Sequence, residues 1–227
     1  MIIHFHNSSV ANSGDVKRIS NIDRAFATCY RDRTLEVVFY PFRKIGSLRK
    51  MDRFKVSEFT KQKLRIPLLP RSHVLNVYYR SLILGLLCLI YRPKVFIGEM
   101  AFPLHLVGAI KRMSPRTRVF ADFHGAVVDE YLYQNPDIDE KRLARILETD
   151  RYTARAADYV LCQSDEMKRY LIDKYGVRPE KVQVYRCGYD ASLFVLDRSS
   201  RTRTRQALGV AQDDVLFVYS GGLHKWQ

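Results

Sequence analysis

Residues 159–184 read YVLCQSDEMKRYLIDKYGVRPEKVQV, and their punctuation decides the fold class. Tyr159–Gln163 is a short apolar run with a β-branched residue at Val160, the composition of a buried strand. Ser164 stands where a helix N-cap belongs, because its hydroxyl can accept an orphan N–H of the first turn. A helix follows to Tyr175. Gly176 suits the position just past a helix, where the chain turns left-handed. Val182–Arg186 then reads as a second strand. Strand, capped helix and strand in about 25 residues make one βαβ unit, whose two strands run parallel.

The same alternation extends outward. Toward the amino terminus it gives strands at Ile2–His6, Leu35–Tyr40, Val95–Gly98 and Val119–Phe123, and helices at Val16–Tyr30, His73–Tyr91, Phe102–Met113 and Ile138–Ala157. Asp137 or Asp139 is placed to cap the last of these. Arg43 to Arg71 is basic and weakly periodic, and ends in Pro67 and Pro70. The fold class is therefore α/β, a doubly wound, mostly parallel sheet with helices on both faces and ligand sites at the carboxyl ends of its strands. Residues 1–196 are expected to form this Rossmann-like domain. Asp197 to Arg205 has no apolar period and reads as a linker, carried to residue 210 by Gln206–Val210, the end of a short helix. Val215–Tyr219 reads as a strand running into Ser220-Gly221-Gly222, so residues 211–227 are expected to open a second, truncated Rossmann-like domain. A lone strand and Gly loop cannot bury themselves.

Of the 227 residues, 47% are hydrophobic and 27% charged, the make-up of a globular chain. Thirty-eight Lys and Arg against 24 acids give a net charge of +14. That excess points to an anionic partner, whether nucleic acid, an anionic membrane or a phosphorylated substrate, or serves solubility alone. Cys29, Cys88, Cys162 and Cys187 are widely spaced with no Cys-x-x-Cys, which suits reduced thiols in the cytoplasm. The start, Met-Ile-Ile-His-Phe-His-Asn, is strand-like and not a signal peptide. Leu82 to Tyr91 is too short to span a bilayer.

Ala157-Asp158-Tyr159-Val160, Ser164, Tyr175-Gly176-Val177, Lys181-Val182-Gln183-Val184, and Gly188-Tyr189-Asp190 with Phe194 together resemble family 4 of the GT-B glycosyltransferases. The Arg205…Leu208-Gly209 pair and the strand leading to Gly221-Gly222 continue the match. Cys187 and Tyr189 stand where the family has Asn and Val. The resemblance implies two facing Rossmann-like domains, a nucleotide-sugar donor held mainly by the second, and retention at the anomeric carbon. It implies donor-phosphate contact at Ser13 and Gly14, where the family usually has a Gly-Gly pair. It implies further donor binding at Gly221, Gly222 and Lys225. Helix-start N–H groups suit such phosphates.

His124 ends the strand Ala121-Asp122-Phe123, before Gly125. The resemblance makes it the candidate catalytic residue, bonding a hydroxyl of the donor sugar, and imidazole can donate or accept near neutral pH. The bland alternative is a strand-end His satisfied by backbone. His4 and His6 share a face of the first strand and are expected to be structural or cleft-lining. Asp137-Ile138-Asp139 resembles a metal-binding Asp-x-Asp, but acids just before a helix serve its dipole, so no metal or other cofactor is expected. Arg43, Lys44, Arg49, Lys50, Arg53 and Lys55, interleaved with Leu48, Met51 and Phe54, form a candidate patch for an anionic membrane surface or the acceptor.

The function expected is sugar transfer from a nucleotide sugar to a lipid-linked or polysaccharide acceptor, in the cytoplasm and peripheral on the inner face of the membrane. One rival is a catalytically silent fragment or split subunit that binds a partner chain carrying the missing domain; a second Rossmann-like reading frame downstream separates the two. The other is a basic nucleic-acid-binding protein, which a steep salt dependence of binding would reveal. With no RNP-type aromatic motif and no helix-turn-helix, no nucleic acid is expected.

Overall fold

The computed structural model describes residues 1–7, 25, 28–30, 33–41, 62–68, 73–99, 105–186, 188 and 197–219. They fall into two compact units, Met1–Arg186 and Cys187–Gln227. The first is built on seven strands: β1 (Ile2–Asn7), β2 (Thr34–Pro41), β3 (Gln62–Leu68), β4 (Val95–Glu99), β5 (Arg118–Phe123), β6 (Tyr159–Cys162) and β7 (Val182–Val184). They lie in the order β3-β2-β1-β4-β5-β6-β7, and every adjacent pair is parallel. The order reverses direction beside β1. In doubly wound sheets such a switch point opens a crevice at the strand carboxyl ends.

Helices α1 (His73–Tyr91), α2 (Leu106–Met113), α3 (Val127–Gln134), α4 (Glu140–Ala156) and α5 (Asp165–Tyr175) join these strands. The expected bounds of α1 hold residue for residue. Ser164 caps α5 as its position predicted, accepting the N–H of Met167 at 3.1 Å. Asp139, of the two candidates, caps α4 by accepting from Arg142 N at 3.0 Å. Gly176 has φ 66°, and its N–H donates to Ile172 while Arg155 Nε donates to the neighbouring carbonyl of Tyr175 at 2.6 Å.

Alternation along the strands sorts the two faces. Ile3, Phe5, Leu35, Val37, Phe39, Phe96, Val119, Ala121, Phe123 and Val160 point one way. They form one core with Leu84, Cys88, Leu106, Ile110, Ala154, Leu171 and Tyr175 from the helices. Residues between them, among them His4, Glu36, Glu99 and Asp122, occupy the other face and are also buried. Asp158 ties the amino ends of the strands together: it accepts from Val119 N at 2.8 Å and pairs with Lys111.

Four sequence expectations change. The basic stretch to Arg71 contains strand β3, whose Lys63-Leu64-Arg65-Ile66 alternation is that of a sheet edge; an edge strand also tolerates Pro67. A short helix, α3, forms where the sequence reading placed none. In the second unit, Asp197 to Arg205 is not irregular: Arg198–Ala207 is helix α6, capped by Asp197 accepting Ser199 N at 2.9 Å. Arg205 is buried there and donates to the carbonyls of Ala211 and Asp214, which takes the place of an apolar stripe. Val215–Tyr219, expected as a strand, forms no ladder among the described residues, and Val215 and Phe217 are 79% and 91% exposed.

Candidate active site at the strand ends

Parallel register builds the site. Glu99, the last residue of β4, is paired with Asp122 of β5, so the two acids share one row and one face. His4 of β1 is paired with Ile97, two residues before Glu99 on the same face. His124 follows immediately after β5. The carboxylate of Glu99 sits among these groups. Its Oε1 lies 2.7 Å from His4 Nε2, and its Oε2 lies 2.6 Å from His124 Nε2. Asp122 Oδ2 is 3.5 Å from the same His124 nitrogen. The side chains of His4, Glu99 and His124 are 0%, 3% and 5% exposed.

Burial by itself pushes the Glu99 carboxyl up. The hydrogen bonds and charge it shares with His124 and His4 outweigh that and hold it well below the usual carboxylate range. Glu99 is thus an anion kept ionised in a dry site. Its network carries the polar groups that could meet a ligand at the strand ends. Glu99, Asp122 and His124 also bring three ligand-type atoms within 4.8 Å of one another. The 2.6 Å contact between His124 and Glu99 is a hydrogen-bond spacing, so those two groups already satisfy each other.

His124 therefore lies where the sequence placed it, at the carboxyl end of a strand, with the Glu99 carboxylate as one of its partners. His4 is fully buried. A Cβ at Gly125 would meet the carboxylate of Glu130 on α3, the end of a flexible side chain. Glu99 was missed. The signal was present, since an acid closing the apolar run Val95–Gly98 must be buried, and buried acids need partners. Ser13, Gly14, Gly221, Gly222, Lys225 and the patch residues Arg43, Lys44, Arg49, Lys50, Arg53 and Lys55 lie outside the described residues. A shallow groove of about 600 Å³ runs along α4 between Leu147, Arg151, Tyr152 and Arg155, and none of the expected site residues lines it.

The profile of Glycosyltransferase Family 4 matches residues 25–193, well over half of the chain and including β4, β5 and His124. This chain belongs to glycosyltransferase family 4. A D-inositol 3-phosphate glycosyltransferase of Kribbella flavida is 32% identical over 78 residues, which is 34% of this chain and 18% of that protein. The Anabaena protein HepE, solved in complex with UDP and glucose, superposes with a TM-score of 0.55 at 16% identity, over 92% of this chain and 50% of that one. The lipopolysaccharide outer core galactosyltransferase WaaB superposes with a TM-score of 0.54 at 12% identity, over 84% of this chain and 46% of that one. At such identities the superpositions establish the GT-B type of fold. The family 4 chain described here spans about half the length of these solved relatives. Among its described residues no helix is long and apolar enough to cross a membrane.

Proposed function

We propose that this chain supplies the acceptor-side half of a retaining glycosyltransferase. The enzyme would move a sugar from a nucleotide-sugar donor to a lipid-linked or polysaccharide acceptor, with His124 bonding a hydroxyl of the donor sugar. The observation that carries the reading is the placement of His124. In a family 4 sheet it stands at a strand carboxyl end beside the topological switch point, held by a buried, ionised glutamate. HepE, the superposed relative, was solved with UDP and with UDP-glucose, which supports a uridine diphosphate sugar as the first donor to try.

In this reading catalysis is positioning and charge stabilisation. The donor's anomeric carbon is oriented by contacts to its hydroxyls, and the leaving diphosphate is received by N–H groups and cations. Ser13 and Gly14 on this chain, and Gly221, Gly222 and Lys225 beyond residue 211, are proposed for those phosphates. No metal and no other cofactor is assigned a step. The basic stretch from Arg43 to Lys55 is proposed to face an anionic membrane or the acceptor, in a cytoplasmic, peripheral enzyme. A partner domain or chain would hold the nucleotide.

The test is to join the chain to the nucleotide-binding domain of a family 4 relative and screen nucleotide sugars for acceptor-dependent release of nucleoside diphosphate. The anomeric configuration of the product is then read by NMR. Turnover with retained configuration is expected. An inverted product, or release that needs no acceptor, contradicts the proposal.

A further inference from the structure

We propose that the outer face of α1 is a docking surface that lies on an anionic bilayer. The inference rests on the reading of this chain as part of a peripheral membrane enzyme, and it names a surface for that contact. Helix α1 packs Leu84 and Cys88 into the core. Leu75, Tyr78, Leu82 and Leu89 succeed one another at spacings of three, four and seven, which puts them on one face, opposite Leu84. Ile90 extends that face at its carboxyl end. Leu75, Tyr78, Leu82 and Ile90 are each more than half exposed. The stripe is about 20 Å long. A surface helix of a globular protein normally turns charge outward. Among its 19 residues α1 has no Asp, Glu or Lys, and its single Arg, Arg80, is turned inward over the rings of Phe5 and Phe39. A contiguous apolar stripe left in water marks a contact surface.

The cations beside the stripe identify the partner. Helix α1 runs from the carboxyl end of β3 back to the amino end of β4, so its exposed end, Leu89-Ile90-Tyr91, lies at the amino ends of the strands. Arg92 and Lys94 follow it directly. Arg118 of β5 is held beside them, its N–H donating to the Lys94 carbonyl at 2.9 Å. Helix α2, whose Met113 closes over Gly85 of α1, adds Arg112, with Arg116 just beyond. Asp158 pairs with Lys111 and Arg118, while Arg92, Lys94, Arg112 and Arg116 are all exposed. Apolar side chains bordered by cations complement acyl chains beneath anionic headgroups. Tyr78 and Tyr91, each an apolar ring with a polar tip, suit the headgroup level. A second copy of this chain fits less well, because each copy carries +14. A bilayer on this face runs alongside the sheet rather than across the strand carboxyl ends, where Glu99 and His124 lie.

The test is sedimentation of the full chain with vesicles of phosphatidylcholine and phosphatidylglycerol. Leu82→Gln with Leu89→Gln keeps the charge and alters only exposed side chains, and should weaken binding about tenfold or more. Arg92→Gln with Lys94→Gln should weaken it about fivefold per cation and flatten its salt dependence. Depth is read separately. With Trp226, the only Trp of the sequence, replaced by Phe, an indole introduced by Leu82→Trp should be quenched by lipids brominated on their acyl chains. That arm decides if the leucine variant does not fold. Wild-type binding by the folded leucine variant, or an introduced indole left unquenched in the vesicle-bound chain, overturns the proposal. If vesicle binding is lost instead on charge reversal of Arg43, Lys44, Arg49 and Lys50, the peripheral reading stands and α1 is not its surface. No vesicle binding at all overturns both. A lipid-free wild type that is dimeric, made monomeric by Leu82→Gln with Leu89→Gln, assigns the stripe to a second copy and also overturns the proposal.

Discussion

At the scale of single residues, one carboxylate joins the ends of three strands. Glu99 is ionised and buried, with His124 and His4 as partners. Removing a partner leaves part of an anion unsatisfied in a dry place, which costs about 1–3 kcal/mol. His124→Ala should therefore lower the unfolding free energy by roughly that amount in denaturant titration, and Glu99→Ala should leave two imidazoles unsupported and cost at least as much. Ser164 offers an independent check. It satisfies one orphan N–H of α5, so Ser164→Ala should cost about 1 kcal/mol while Ser164→Asp should cost nothing measurable. This residue scale was the least legible in the sequence. His124 was visible because a polar residue followed by Gly ended an apolar strand. Its partner lies 25 positions away on a different strand, and only parallel register brings the two together. Composition and periodicity carry no information about register between non-adjacent segments.

At the scale of elements, the local signals that succeeded were those with their own physical cause. Ser164 and Gly176 bound α5 because a cap and a left-handed turn each demand a residue type. The edge strand β3 was hidden by its charge. Lys63 and Arg65 alternate with Leu64 and Ile66 as an exposed edge requires, yet in a basic stretch they read as one more pair of cations. Helix α6 was hidden for the opposite reason: its internal support is Arg205 bonded to carbonyls, which no hydrophobic period reveals. Two predictions belong here. Gly176→Ala puts a Cβ at φ 66° and against the Arg155 guanidinium, and should cost about 1 kcal/mol or more in thermal denaturation. On α4, burial raises the Asp150 carboxyl to about 6, although the Tyr175 hydroxyl donates to it. A carboxyl with a raised folded-state value binds more protons in the native state than unfolded. Its contribution is therefore favourable in acid and lost as pH rises from about 4 to about 6. Asp150→Asn should gain about 3 kcal/mol at pH 7 relative to the wild type and little at pH 4, as read from denaturant midpoints at the two pH values.

At the scale of the whole molecule, the charge of +14 and the family 4 fold set the context for both. If the cationic excess meets an anionic bilayer, the chain should sediment with vesicles containing anionic lipid, bind neutral vesicles less, and release as salt is raised past the point where screening reaches about 8–10 Å. Equal binding to both vesicle types would assign the excess to solubility. The fold class and its parallel sheet were legible because alternation is a property of the entire chain, repeated at every unit. The central claim is that His124 acts on the donor sugar from this half of a family 4 enzyme, and it is tested most directly by kinetics. In the chain joined to a nucleotide-binding domain, His124→Ala is compared with the wild type at equal folded fraction. A contact that tightens as the sugar approaches its transition state predicts a loss in kcat of about 10- to 1,000-fold with the donor KM little changed. Wild-type kcat in folded His124→Ala would contradict the account and leave His124 as a structural partner of Glu99.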